Sequence, residues 1–116
     1  WDLFCAINGI DLYRMWASAI CHGKIIQKPS RQFAGGMISL RPNKDGRIAG
    51  YTGLEDLQQK YGHCIIKAHL PPPGTPTQPI EAGYRANGWM FLRHPDFDEL
   101  RRIMDEFGSG VKVWAE

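Results

Sequence analysis

Much that would place a small protein in a familiar class is missing from this chain. Three cysteines occur, Cys5, Cys21 and Cys64. An odd number gives no disulfide framework and reads as reduced thiols in a cytosolic setting. No basic segment leads into an apolar run, so no signal peptide is expected, and no apolar stretch is long enough to span a bilayer. Neither C-x-x-C nor H-E-x-x-H is present. His22, His63, His69 and His94 are scattered. The adjacent pairs Cys21-His22 and His63-Cys64 would face opposite ways on a strand, which argues against a shared metal. No G-x-x-x-x-G-K-[ST] loop occurs, and Gly35-Gly36 does not complete G-x-G-x-x-G. The net charge is only +2, too small to imply a nucleic-acid partner by itself.

The 116 residues are 43% hydrophobic and 11% aromatic, which fits a single domain over 1–116 with a core of its own. Charge is unevenly spread. Between Lys24 and Gly50, Lys24, Lys28, Arg31, Arg41, Lys44 and Arg47 face Asp45 alone. A locally basic region favours anionic ligands.

The chain is organised around Gly35-Gly36-Met37-Ile38-Ser39-Leu40-Arg41-Pro42-Asn43. It reads as a strand between turn-formers, with Met37, Ser39 and Arg41 on one face and Ile38 and Leu40 on the other. A hydroxyl and a guanidinium beside bare glycine backbone suit an anion or a nucleotide phosphate.

Other elements follow from periodicity. Leu12–Met15, within Ile10–Trp16, reads as a strand, with a helix over Asp11–Cys21 as the competing assignment. Lys24–Gln27 fits a short strand. Asn43–Gly46 forms a loop that Arg47–Tyr51 continues. Thr52 and Glu55 form a capping box for a helix ending at Gly62. Cys64–Leu70 is a strand with Cys64, Ile66, Ala68 and Leu70 inward, followed by the extended Pro71–Pro76 loop. Gly83–Arg93 holds one or two strands. Asp96 and Glu99 cap a second helix whose stripe is Phe97, Leu100, Ile103, Met104 and Phe107, with Gly108 as its stop. Val111–Trp114 is a final strand. The fold class is α+β, with strands outnumbering helices.

Phe33, Tyr51, Tyr84 and Trp89 supply flat rings that can stack on a base or nicotinamide. Cys5 with His63 is the one pairing that offers a cysteine hydrolase, which needs the base within hydrogen-bond reach of the thiol.

Taken in order, Leu12-Tyr13-Arg14, Gly36–Asn43, the Leu54–Tyr61 helix and the Cys64–Leu70 strand form a pattern. It continues through Pro73-Gly74-Thr75-Pro76, Trp89-Met90-Phe91-Leu92 and the helix opening Asp96–Leu100. From about Asp11 to Phe107 it resembles the type VI secretion effector toxins with an ADP-ribosyltransferase-like fold, which have bacterial and fungal relatives. The resemblance implies a split β-sheet with two short helices, with a ferredoxin-like α+β sandwich as the alternative. It implies NAD as substrate, with Arg14 and Ser39 as the catalytic pair at one cleft. Tyr13, Arg41, Asn43 and Trp89 would hold the dinucleotide. Glu81 is the nearest candidate for an assisting carboxylate, and the Gly88-Trp89 position lacks the His of the family's His-Tyr. An unknown macromolecular acceptor and an immunity protein are the implied partners. The implied location is the cytoplasm, of the producing cell or of a target cell after delivery. Two other functions fit the residues: a non-enzymatic module for an anionic partner such as RNA, and the Cys5/His63 hydrolase.

Overall fold

A computed structural model describes residues 1–116. Two helices come first, α1 (Asp2–Asn8) and α2 (Leu12–His22). Strands β1 (Ala34–Leu40) and β2 (Ile48–Thr52), helix α3 (Leu54–Tyr61) and strand β3 (Ile65–His69) follow. Strand β4 (Gly88–His94), helix α4 (Phe97–Gly110) and strand β5 (Lys112–Ala115) complete the chain. The fold is a mixed α+β domain with four helices where two were expected.

The strand expected over Leu12–Met15 is a helix, and the reason is local. Gly9 closes α1 in a left-handed conformation. Asp11 then accepts a hydrogen bond from the Arg14 N–H at 3.1 Å, capping α2, and Gly23 ends it, also left-handed. A helix so capped satisfies its own backbone, whereas a strand here would need a neighbouring edge. Lys24–Gln27 forms no strand, while Arg47–Tyr51, expected as loop, runs into β2.

The strands form two antiparallel sheets, β1-β4-β3 and β2-β5. They are joined where Pro42 bridges Val113 and the Asn43 N–H donates to the Val113 carbonyl at 3.0 Å. From β2 onward the elements run β-α-β-β-α-β, the order of the ferredoxin-like alternative. Here, however, β1 takes the place beside β4, and β2 and β5 make a separate ribbon. A register shift between Ile65 and Lys67 sets Ile65 opposite Leu92 and Ala68 opposite Met90, so Ile65 packs on the core, unlike the simple alternation expected for this strand.

Alternation on the central strand β4 decides the layers. Met90 and Leu92 are fully buried and face the main core with Leu40, Leu100, Ile103 and Phe107. Trp89, Phe91 and Arg93 face the other side, where Arg93 donates to the Ala6 carbonyl of α1 at 3.1 Å and Lys67 pairs with Asp2.

Helix α4 starts at Asp96, whose carboxylate accepts from the Glu99 N–H at 3.0 Å. The reciprocal half of the expected capping box is absent. His94 Nδ1 accepts from the Asp96 N–H instead, and Glu99 pairs with Arg102. The Arg102 guanidinium holds the Glu99 carboxyl below its ordinary range. Asp96→Ala is expected to cost about 1 kcal/mol in urea unfolding, with the slope unchanged. The helix passes through Gly108, the expected stop, to Gly110, where the missing side chain lets Leu57 of α3 approach closely. At α3 the N-cap is Gly53, not Thr52. The Thr52 hydroxyl accepts from the Trp114 indole N–H at 2.9 Å.

Candidate functional site

Gly35 and Gly36 carry the expectation of open backbone, and the structure assigns them another task. A Cβ on Gly35 would lie 2.5 Å from Ile7 Cγ2 of α1, and one on Gly36 would collide with Met104 of α4. Successive residues of a strand face opposite sides. The two glycines therefore let one helix close on each face of β1, and beside α4 a cleft of about 300 Å³ lined by Phe97, Arg101 and Asp105 still reaches them.

Past the glycines the strand does build a groove. Ser39, Arg41 and Asn43 come together with Lys112 and Trp114 around a space of about 310 Å³ between the end of β1, β5 and the end of α4. The Ser39 hydroxyl donates to the Tyr84 carbonyl at 2.6 Å. The Asn43 side-chain oxygen accepts from the Ala115 N–H at 2.9 Å, pinning β5 against the chain that leaves β1. A second cleft of about 250 Å³ shares Arg41 and Asn43 and adds Lys44, Asp45 and Asn87. Asn87 is buried. Its amide accepts from the Gln78 N–H and donates to the Gln78 carbonyl, which fixes the loop ahead of β4.

The remaining expected site residues lie elsewhere. Arg14 is on α2, not on a strand, and lines a separate groove of about 160 Å³ with Met15, Ser18, Ile26 and Gln27. That groove has no residue in common with the one at Ser39. The side chains that the resemblance brings to one cleft are thus divided between two, because a capped helix carries Arg14 and a sheet strand carries Ser39. Tyr13 is exposed in an apolar patch with Trp1, Leu12 and Trp16. Trp89 is buried, its ring covered by the Arg85 guanidinium at 4.4 Å and set against Phe91 at 4.8 Å. It is a packing residue of the sheet. Glu81 lies exposed in a short 3-10 turn.

Cys5 is half-buried on α1, and His63 is exposed in the 3-10 turn after α3. No three His, Cys, Asp or Glu side chains are close enough to hold a metal ion. Burial pushes the Cys64 thiol up, so it is a poor nucleophile. A thiol-reactive probe on the native chain is expected to label exposed Cys21 first and Cys64 only on unfolding, as read by peptide mass. Early labelling of Cys64 would show that the interior around α3 and α4 opens.

Lys112 and Trp114 were the members of the groove that sequence reasoning missed. Alternation over Val111–Trp114 puts them on one face, but nothing local says that β5 lies beside the chain leaving β1.

No model of a known protein family and no curated protein sequence matches this chain. Among solved structures it is similar to the L-amino acid ligase from Bacillus licheniformis, with a TM-score of 0.68 and 14% sequence identity. The match covers 99% of this chain and 30% of that one. The chain therefore spans under a third of the length of the ligase it matches, and what the two share is a fold.

Proposed function

We propose that this chain acts as an accessory domain of an enzyme that joins amino acids by an amide bond, with the reacting centre carried outside these residues. The observation behind the proposal is the ligase similarity, in which nearly the whole of this fold corresponds to a part of a larger enzyme.

Two physical features support it. The accessible surface is 7695 Å², where a compact monomer of this mass exposes about 6,400 Å². The radius of gyration is 17.0 Å, against about 13.4 Å for a compact domain of this length. The surplus apolar surface is concentrated at the start of the chain. Trp1, Tyr13, Trp16 and Ile20 are each more than two-thirds exposed, and only Met15 of α2 is buried. An apolar face of that kind is what a domain leaves for a neighbour. In the proposed arrangement, α1 and α2 pack on the remainder of the ligase.

The perturbed carboxylates point the same way. Asp2, Glu99 and Glu106 are lowered by hydrogen bonds to Lys67, Arg102 and Tyr61 respectively, all in surface ion-pair networks. None faces a cleft with a nucleophile, so they read as structural groups, not an acid–base pair.

Depletion tests the proposal. An antibody to the 116-residue chain, applied to an extract of the cells that make it, is expected to remove dipeptide formation from free amino acids along with the chain. Removal of the chain with that activity undiminished would overturn the reading.

A further inference from the structure

We propose that the groove between β1 and β5 binds a nucleoside phosphate, held by Arg41 and Lys112 with Trp114 beside the base. Donors, charge and shape carry the assignment, independently of the ligase reading.

None of the nine residues lining the groove is acidic. Arg41 and Lys112 take part in none of the ion pairs of the chain. A guanidinium brings five N–H donors and an ammonium three, so both keep their full capacity for an anion. Asn43 has committed its side-chain oxygen to the Ala115 N–H, which leaves its amide N–H groups as donors. Ser39 lies opposite Trp89 on the sheet face away from α4, where its hydroxyl donates to the Tyr84 carbonyl, so it is left out of the anion's donor set. The free polar groups of Arg41, Lys112 and Asn43 are thus all donors, as a phosphate requires.

Trp114 supplies the apolar part. It is 46% exposed, yet its indole N–H is tied to the Thr52 hydroxyl at 2.9 Å. A ring held in place loses little freedom when a base stacks on it. The volume of about 310 Å³ lies at the lower end of the roughly 300–1,000 Å³ of small-molecule sites, which fits a mononucleotide better than a dinucleotide.

A polyribonucleotide fits the charge less well. Lys24, Lys28 and Arg31 precede β1 and Arg41, Lys44 and Arg47 follow it. A strand of this length holds the two basic groups about 20 Å apart. The basic run is therefore two patches and not one track.

Titration of the 116-residue chain with ADP, adenosine, inorganic phosphate and a short oligouridylate, by calorimetry and tryptophan fluorescence, tests the site. ADP is expected to bind one-to-one with quenching, and adenosine and phosphate about tenfold or more weaker. Arg41→Gln and Lys112→Gln are each expected to weaken ADP about tenfold. Lys28→Gln, on the far patch, is expected to change nothing. Arg41 and Lys112 have no ion-pair partner in the chain, so thermal unfolding of the variants should match the parent. Absence of ADP binding at millimolar concentration would overturn the proposal. So would binding that Arg41→Gln and Lys112→Gln both leave unchanged, or a preference for the oligouridylate over ADP.

Discussion

Gly53→Ala should destabilise the protein by about 3 kcal/mol and lower its melting temperature by roughly 10 °C. Gly53 stands at the N-terminus of α3 with φ +75°, in the left-handed region. Any L side chain there costs about 1–2 kcal/mol of backbone strain. A Cβ at this position would also run into the Gly110 carbonyl oxygen at the end of α4. That neighbour is backbone, with no flexible end to swing away, so either α3 or α4 must shift. The check is differential scanning calorimetry on the two proteins, with Gly62→Ala as the comparison. Gly62 has a right-handed helical conformation, and a Cβ there meets nothing. A melting temperature for Gly53→Ala within a degree or two of the parent would mean that α3 and α4 do not meet as described.

Phe107→Ala is expected to cost about 4 kcal/mol. Phe107 is fully buried, packs against Tyr61 at 6.1 Å between ring centres, and belongs to a core cluster of only 12 buried residues. A domain of this size has roughly 5–15 kcal/mol in total, so the variant should sit near the edge of folding. The urea midpoint should fall while the slope stays constant. Phe97→Ala on the same helix is expected to move stability by about 0.5 kcal/mol or less, because Phe97 is exposed. Periodicity alone places both phenylalanines on the apolar stripe. The contrast between them measures how far the sheet covers α4.

That contrast shows where the sequence was informative. The strand over Ala34–Leu40, the α3 and α4 helices, β4 and β5 were legible because each has a clear period and a local stop. That Ser39 and Arg41 lie two apart in one stretch was legible too, from alternation, while Asn43 entered only through the resemblance. What failed was everything set by distant partners. For Gly35 and Gly36 the packing role was missed, because nothing local says that α1 and α4 close on them from opposite faces. Arg14 was assigned to a strand, because a run of Leu12, Tyr13, Met15 and Trp16 fits both periods. The Asp11 cap and the Gly23 stop decide for the helix. Trp89 looked available for stacking until β4 proved to be the central strand with Arg85 laid over the ring. Arg47–Tyr51 was read as loop because the pairing partner of β2, which is β5, lies at the other end of the chain.

The ion pairs give a pH dependence with a definite sign. Glu99 and Glu106 lie below the ordinary carboxylate range when folded, held there by Arg102 and by Tyr61 respectively. Their contribution is present above the unfolded carboxylate pKa and is lost as pH falls through the lower folded value. Melting temperature should therefore decline on acidification below about pH 4.5, and less so in Arg102→Gln. High salt should blunt the difference, since these groups are exposed.

The most direct measurement is nicotinamide release from NAD by the isolated chain, compared with the Arg14→Ala/Ser39→Ala variant. With Arg14 and Ser39 in separate grooves and, in the proposed reading, the reacting centre outside these residues, the expected rate is that of the buffer for both proteins. Release by the parent that the double variant abolishes would contradict the accessory-domain reading. It would show that the two side chains meet around the dinucleotide after all.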